Sequence, residues 1–359
     1  MNSLPNTINK FNSNIKHIVL SGGGTYGFAA YGALKHLHEE GFWNIGNIES
    51  IHGTSIGAIY GIILALKYDW NISYDYIIKR PWHKIFNFDM YSVIHSFQKK
   101  GIFDKNVIIE LFKPLFNGLD IPLDINMLAF YEITKIDLHV YITNLTDFTL
   151  VDISHKTHPE WIVIDAVYAS SALPILFAPL IKDEKCYLDG GILCNYPIHN
   201  CLNQISLNQI SLNQISLNQN SLNQISLNQI SLNQIQDISL NCIEKTLDTN
   251  SYVNLNNELC VDPKNTILGL YRHQNESIQL INSESSIFDY LFLIINKLLH
   301  SIMPIIEPIL NQYQIPIISN TLSLYDIYLC SNSEEERIRI FNIGINAAKS
   351  FIDEHRINI

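Results

Sequence analysis

Three short segments carry residue types that could act together on an ester: Ser21-Gly22-Gly23-Gly24-Thr25-Tyr26-Gly27, Gly53-Thr54-Ser55-Ile56-Gly57 and Leu188-Asp189-Gly190-Gly191. In the first, backbone N–H groups without side chains can approach an anion closely, with a helix dipole behind them. The second is a Gly-x-Ser-x-Gly turn between a strand and a helix. Such an elbow needs glycine on both sides of the serine, Gly53 and Gly57, and lifts the Ser55 hydroxyl onto the amino end of a helix. The third ends a strand on a carboxylate, and Gly190 and Gly191 let the backbone turn away so that Asp189 faces a cavity. An oxyanion loop, a serine on a sharp turn and a carboxylate base make a set that needs no histidine. They point to a Ser-Asp dyad acyl hydrolase.

Taken singly, each segment has another reading. Gly22 to Gly27 fits G-x-G-x-x-G after a strand and before a helix, with Glu39, Glu40 or Glu49 downstream, which is also a dinucleotide-binding fingerprint. Asp189 alone is an ordinary Asp-Gly turn. The elbow some thirty residues after the loop decides for the hydrolase, because the dinucleotide reading leaves Ser55 and Asp189 without a role.

The elements that must position these residues follow a β-α-β-α rhythm. A strand at His17 to Leu20 runs into the glycines, and a helix from Phe28 to Glu40 stops at Gly41. A second strand spans Ile48 to His52, and Ile56 to Tyr68 forms a helix apolar on nearly every side, hence deeply buried. Leu138 to Thr143 and Phe148 to Ile153 read as a strand pair turning at Leu145-Thr146-Asp147. A helix follows from Ile162 to Ser171, and a strand at Cys186 to Leu188 delivers Asp189. Asn265 to Tyr271 reads as a returning strand, Ile287 to Ile309 as mostly helical up to Pro304 and Pro308, and Glu334 to Asp353 as a last helix. This pattern predicts a three-layer α/β/α fold with a central, mainly parallel sheet. The aromatic stretch from Trp82 to Phe97 is the candidate for an acyl-chain wall or an interfacial cap.

Between 201 and 235 a five-residue unit recurs seven times, beginning Cys201-Leu-Asn-Gln-Ile and continuing as Ser-Leu-Asn-Gln-Ile, with Asn220 closing one copy. Its polar, repetitive composition predicts a disordered insertion without chemistry of its own. The expected organisation is a polar tail over 1–15, a catalytic core over 16–200, the insertion over 201–262 and a mainly helical remainder over 263–359.

Composition narrows the class. The 359 residues are 47% hydrophobic and 16% charged, with a net charge of −11. That suits a globular protein and argues against a nucleic-acid partner, which would call for a basic stripe where this chain offers pairs such as Lys99-Lys100. Six cysteines show neither CxxC nor metal-ligand spacing, so no metal and no cofactor is expected. The polar, Asn-rich start lacks the apolar core of a signal peptide, and the Ile287 to Met303 run holds Asp289 and Lys297 and is shorter than a bilayer span. An intracellular protein, peripheral at membranes and without a transmembrane segment, is the expectation.

Together the three segments resemble the patatin-like phospholipase family. So does Asp165-Ala166-Val167-Tyr168-Ala169-Ser170-Ser171-Ala172-Leu173-Pro174, followed by Phe177-Ala178-Pro179. Tyr187-Leu188-Asp189-Gly190-Gly191 with Asn195-Tyr196-Pro197 is similar to the family's aspartate block, and Gly344 lies in a final helix of familiar type. The resemblance covers Lys16 to Asn200 and, more weakly, Asn265 to the end. It implies that Ser55 attacks the ester while Asp189 takes its proton, that backbone N–H groups among Gly22, Gly23, Gly24 and Thr25 hold the oxyanion, and that fatty acid is released from membrane or micellar glycerophospholipid without calcium. Tyr26 stands where the family loop often carries Arg or Lys, which bears on contacts to a charged headgroup. Two other accounts compete: a catalytically silent homologue that binds lipid or a partner, and a triad using His199, His273 or His300.

Overall fold

The strands, in chain order, are β1 (His17–Leu20), β2 (Ser50–Thr54), β3 (Gly101–Phe103), β4 (Asp137–Asn144), β5 (Thr149–Ile153), β6 (Ile175–Phe177), β7 (Leu180–Lys182), β8 (Lys185–Asp189), β9 (Ile267–Gln274) and β10 (Gln314–Ser319). Seven of them form the central sheet in the order β10-β9-β1-β2-β4-β8-β7, with β5 paired to β4 off this path, while β3 and β6 make a separate two-stranded sheet. The computed structural model describes residues 14–87, 100–208, 263–274, 287–302, 313–319 and 323–356. The N-terminal tail, most of the repeat, residues 88–97 of the aromatic stretch, and Pro304 and Pro308 lie outside the described residues.

The five strands from β10 to β4 are parallel, and β5, β7 and β8 are antiparallel to their neighbours. Ile18, Val19 and Leu20 of β1 are all buried, as an inner strand of a parallel sheet covered on both faces requires. The register pairs Leu20 with Gly53 and with Leu270, and Thr54 with Tyr141. The carboxyl ends of β9, β1, β2 and β4 therefore form one edge, where crossover loops gather and ligands bind in such sheets.

Helices flank the sheet in three layers, as expected. The α1 helix (Tyr26–Glu39) starts two residues earlier than read from sequence, directly from the glycine loop. The α2 helix (Ile56–Ala65) is buried at nearly every position. Further helices are α3 (Trp70–Tyr74), α4 (Asn106–Asn117), α5 (Met127–Thr134), α6 (Val163–Ser170), α7 (Ile287–Ile302), α8 (Leu324–Asn332) and α9 (Glu334–Arg356). Helix α9 approaches α1 so closely that a Cβ on Gly344 would run into the Ala29 carbonyl.

The parallel strands also carry a buried polar row that their apolar pattern conceals. His52 and His139 are register neighbours whose rings stack with centroids 4.2 Å apart. His139 Nδ1 lies 2.8 Å from an Asp152 carboxylate oxygen and Nε2 3.3 Å from Asp137. Burial pulls the His139 pKa down, but the two carboxylates outweigh it and hold it at about 9. His52, with Ser50 Oγ at 3.1 Å and the Tyr141 hydroxyl at 2.9 Å, is pushed well below its ordinary value by burial and by its charged neighbour.

Residues up to Cys201 and from Lys264 onward form one compact unit, and Leu202–Pro263 a second. Residues 198–208 are helical, and Cys201, which opens the first repeat unit, is buried.

Candidate active site

The glycine loop leaves β1 at Ser21, whose N–H donates to the Leu270 carbonyl at 3.1 Å. Gly22 departs from its expected role. Its N–H donates to the Asn195 carbonyl at 2.9 Å, so that donor fastens the loop to the segment after β8 and is not offered to an oxyanion. Gly24 takes a φ of 58°, the left-handed region that glycine enters without strain. The turn it makes sends the chain into α1, whose first N–H groups are spent within the turn: Tyr26 on the Gly23 carbonyl and Gly27 on the Gly24 carbonyl. The loop residues Gly23, Gly24 and Thr25 line the same cavity as Ser55 and Asp189.

Ser55 joins β2 to α2 with φ 55° and ψ −122°, a strained conformation for a residue with a side chain. Its surroundings enforce it. The Ser55 N–H donates to Ser170 Oγ at 2.8 Å, and the Ser170 hydroxyl donates to the Tyr141 carbonyl at 2.6 Å. Ser170 ends α6 and is fully buried, so the elbow is tied through it to the neighbouring strand β4. At Gly57 a Cβ would collide with the Leu20 carbonyl, which explains why this position of the elbow admits only glycine. The Ser55 carbonyl accepts the Ala58 and Ile59 N–H groups and starts α2, whose positive end thus lies at the serine.

Asp189 ends β8 opposite Ile142 and is 5% exposed. Its N–H donates to the Ala172 carbonyl at 3.1 Å, its own carbonyl accepts Thr143 Oγ1 at 2.9 Å, and its Oδ1 accepts the Gly191 N–H at 2.7 Å. Burial raises the carboxyl to about 6, against the Gly191 amide hydrogen bond and the influence of the Ser55 hydroxyl, which act in the opposite direction. The structure thus brings together Ser55, Asp189, Gly23, Gly24, Thr25 and Gly191 on one cavity. The flanking glycines Gly53 and Gly190 lie one or two residues away in chain, and Gly22 packs against Ser55, where a Cβ would stand 3.2 Å from the serine Cβ.

The cavity measures about 510 Å³ and is sharply divided in polarity. One end holds the residues above with Asn195 and Arg272; the rest is walled by side chains such as Phe28, Ile59, Ile63, Leu111, Leu176 and Trp82. Trp82 and Phe86 stand in this wall, as expected of the aromatic stretch. Of the histidines that could serve a triad, His273 lines the cavity, His199 is exposed and is not among the described lining residues, and the His300 side chain lies outside the described residues.

Three neighbours of the site escaped the sequence reading: Ser170, Asn195 and Arg272. The first two lie in quoted motif blocks, where their spacing gave no sign of a contact with Ser55 or Gly22. Arg272 comes from a strand more than two hundred residues after the elbow, and nothing local marks it. Among the described residues no helix is long and apolar enough to cross a membrane, and no group of three or more His, Cys, Asp or Glu side chains is arranged to hold a metal ion.

Comparison with known proteins gives this site a lineage. The family model of patatin-like phospholipases matches residues 18–202, just over half of the chain. An uncharacterized protein, R571, of Acanthamoeba polyphaga mimivirus is 30% identical over 205 residues, covering 55% of this chain and 64% of that protein. Probable lipid hydrolase 463L of Invertebrate iridescent virus 6 is 26% identical over 183 residues, covering 51% of this chain and 62% of its own length. The chain therefore spans less than two thirds of either curated relative. Among solved structures, VipD from Legionella pneumophila is similar with a TM-score of 0.47 and 16% identity, over 95% of this chain and 67% of that one. On the extent of the family match, which takes in the glycine loop, the elbow and the aspartate block, the chain belongs to the patatin-like phospholipase family.

Proposed function

We propose that the protein is a lipid acyl hydrolase of phospholipase A type, cleaving fatty-acyl esters of glycerophospholipids presented in membranes or micelles. Ser55 is the nucleophile and Asp189 its base. The observation that carries this reading is a serine on a strained elbow and a buried carboxyl that line the same largely apolar cavity as the glycine loop. Family membership and the relative described as a probable lipid hydrolase support the substrate class.

In the first half-reaction the Ser55 oxygen forms a bond to the ester carbonyl carbon as its proton passes to Asp189. The carbonyl oxygen becomes an oxyanion within reach of the Gly23, Gly24 and Thr25 N–H groups. Preorganised donors of this kind contribute about 10²–10³-fold each. Collapse of the intermediate breaks the bond to the lysolipid oxygen, which leaves with the proton from Asp189. Water then attacks the acyl-serine, gives its proton to Asp189, and fatty acid departs as that proton returns to Ser55. A carboxylate at its ordinary pKa is a weak base for a hydroxyl. Burial that lifts Asp189 to about 6 brings it closer to the match a general base needs while leaving it mostly ionised at neutral pH. None of these steps requires calcium.

A lipid-like fluorophosphonate, applied in the presence of a chelator, tests the nucleophile. Labelling of the peptide that contains Ser55, absent in Ser55→Ala, is expected. Equal labelling of the Ser55→Ala protein, or none in the wild type, would contradict the assignment.

A further inference from the structure

Along the carboxyl edge of the sheet, β9 lies beside β1, β1 beside β2, and β8 on the far side of β4. The groups at these strand ends fall in the same order: Arg272, the glycine loop, Ser55 and Asp189. Arg272 sits two residues past Leu270, the register partner of Leu20, and so runs alongside the glycine loop.

The arginine is built into that loop. Its N–H donates to Ser21 Oγ at 2.9 Å, and its Nε–H donates to Ser319 Oγ, at the end of β10, at 2.8 Å. A Cβ on Gly23 would stand 2.9 Å from Arg272 Cδ, so the bare glycine makes room for the arginine stem. Arg272 lines the cavity at its polar end and is the sole lysine or arginine among the described residues that do so. It is a fixed cation in a protein whose net charge is −11, which on its own would repel anions from the surface. A guanidinium stays charged at any working pH, and its planar fork matches a phosphate with two parallel hydrogen bonds.

We propose that Arg272 binds the phosphate of the substrate headgroup. This rests on the lipid-hydrolase reading above and deepens it. The acyl chain enters the apolar arm of the cavity, the ester lies between Ser55 and the glycine loop, and the phosphodiester reaches the arginine on the side of the loop away from Asp189. The enzyme then prefers phosphate-bearing glycerolipids over neutral ones with the same chain.

Binding to the Ser55→Ala protein, which cannot turn lipid over, tests this separately from hydrolysis. The probes are palmitoyl-lysophosphatidylglycerol and monopalmitoylglycerol, which share a chain and differ in the phosphate-bearing headgroup, and glycerol phosphate, which has no chain. Calorimetric titration is expected to show the phosphorylated lipid bound about 10- to 100-fold more tightly than the neutral one. Adding Arg272→Gln abolishes that ratio, and Arg272→Lys, which keeps a point charge, retains part of it. Ser319→Ala, which frees the Nε anchor and leaves the charge, lowers the ratio and serves if Arg272→Gln does not fold. An unchanged ratio in a folded Arg272→Gln protein, an equal loss of both lipids, or no preference before the substitution would overturn the proposal. So would glycerol phosphate binding as tightly as the lipid, which would make this a site for free phosphate. Should wild type hydrolyse no ester while these ratios hold, the hydrolase reading fails and the phosphate site stands.

Discussion

Replacing Asp189 with asparagine removes a buried negative charge while keeping an acceptor for the Gly191 N–H and nearly the same volume. In the folded protein burial lifts the carboxyl from an ordinary 3.8 to about 6. The folded state therefore holds the proton more tightly than the unfolded state does. The stabilisation this gives is complete at pH values below 3.8 and is lost as pH rises through about 6. A displacement of that size is worth about 3 kcal/mol, of which about 2 kcal/mol falls between pH 4.5 and pH 8. The substituted amide has no such titration. Urea unfolding of the wild type and Asp189→Asn at both pH values isolates the effect, because every other titrating group is shared and cancels in the difference. The variant should gain about 2 kcal/mol on the wild type as pH goes from 4.5 to 8, with matching m-values. A difference independent of pH would refute the claim that burial governs this carboxyl. A drift in favour of the wild type would mean that the fold stabilises the charge, leaving a poorer base than the mechanism needs.

Further outcomes follow from the same geometry. On the proposed mechanism, in which the ionised form of Asp189 accepts the serine proton, kcat/KM should fall about tenfold per pH unit below about pH 6 and level off above it, as a pH-rate profile on a soluble ester would show. Ser170→Ala leaves the Ser55 N–H and the Tyr141 carbonyl without their shared partner in a fully buried place, at a cost of about 1–3 kcal/mol in stability. Its kcat should drop further than KM changes, and an unaltered kcat in a destabilised protein would remove Ser170 from the positioning of the nucleophile. His139, held at about 9 by Asp137 and Asp152 despite burial, contributes stability that is fully present below its unfolded value near 6.5 and is lost as pH rises through 9. Asp152→Asn should flatten that loss between pH 7 and pH 10 in thermal melts; an unchanged slope would show that Asp152 is not what holds the proton.

The elements nearest the chemistry were legible because their residues have few alternatives. Glycine at 53 and 57 around a serine after a strand leaves an elbow as the economical reading, and the apolar α2 helix could only be buried. Strand β2 extends two residues past the expected end, since the apolar run stops at His52 while pairing with β1 sets Gly53 beside Leu20. Strand β10 went unread because Pro316 breaks its pattern. In the structure β10 is at the end of the sheet path, where a missing N–H need not cost a ladder bond. The three-residue strands β3 and β6 are too short to show a period. At the site, Ser55 and Asp189 announced themselves through their flanking glycines. Gly22 could not be told from its neighbours, since its commitment to Asn195 depends on a chain segment more than 170 residues away. Arg272 and Ser170 act through contacts of the same long-range kind, and composition says nothing about them.

The dyad itself is tested most directly by fatty acid released from mixed phospholipid vesicles by wild type, Ser55→Ala and Asp189→Asn, each shown folded by circular dichroism. The account predicts release by the wild type and its loss, by at least about a thousandfold, in both variants. Release that persists in a folded Asp189→Asn protein, or its absence from the wild type on phospholipid and on a short activated ester alike, would contradict it.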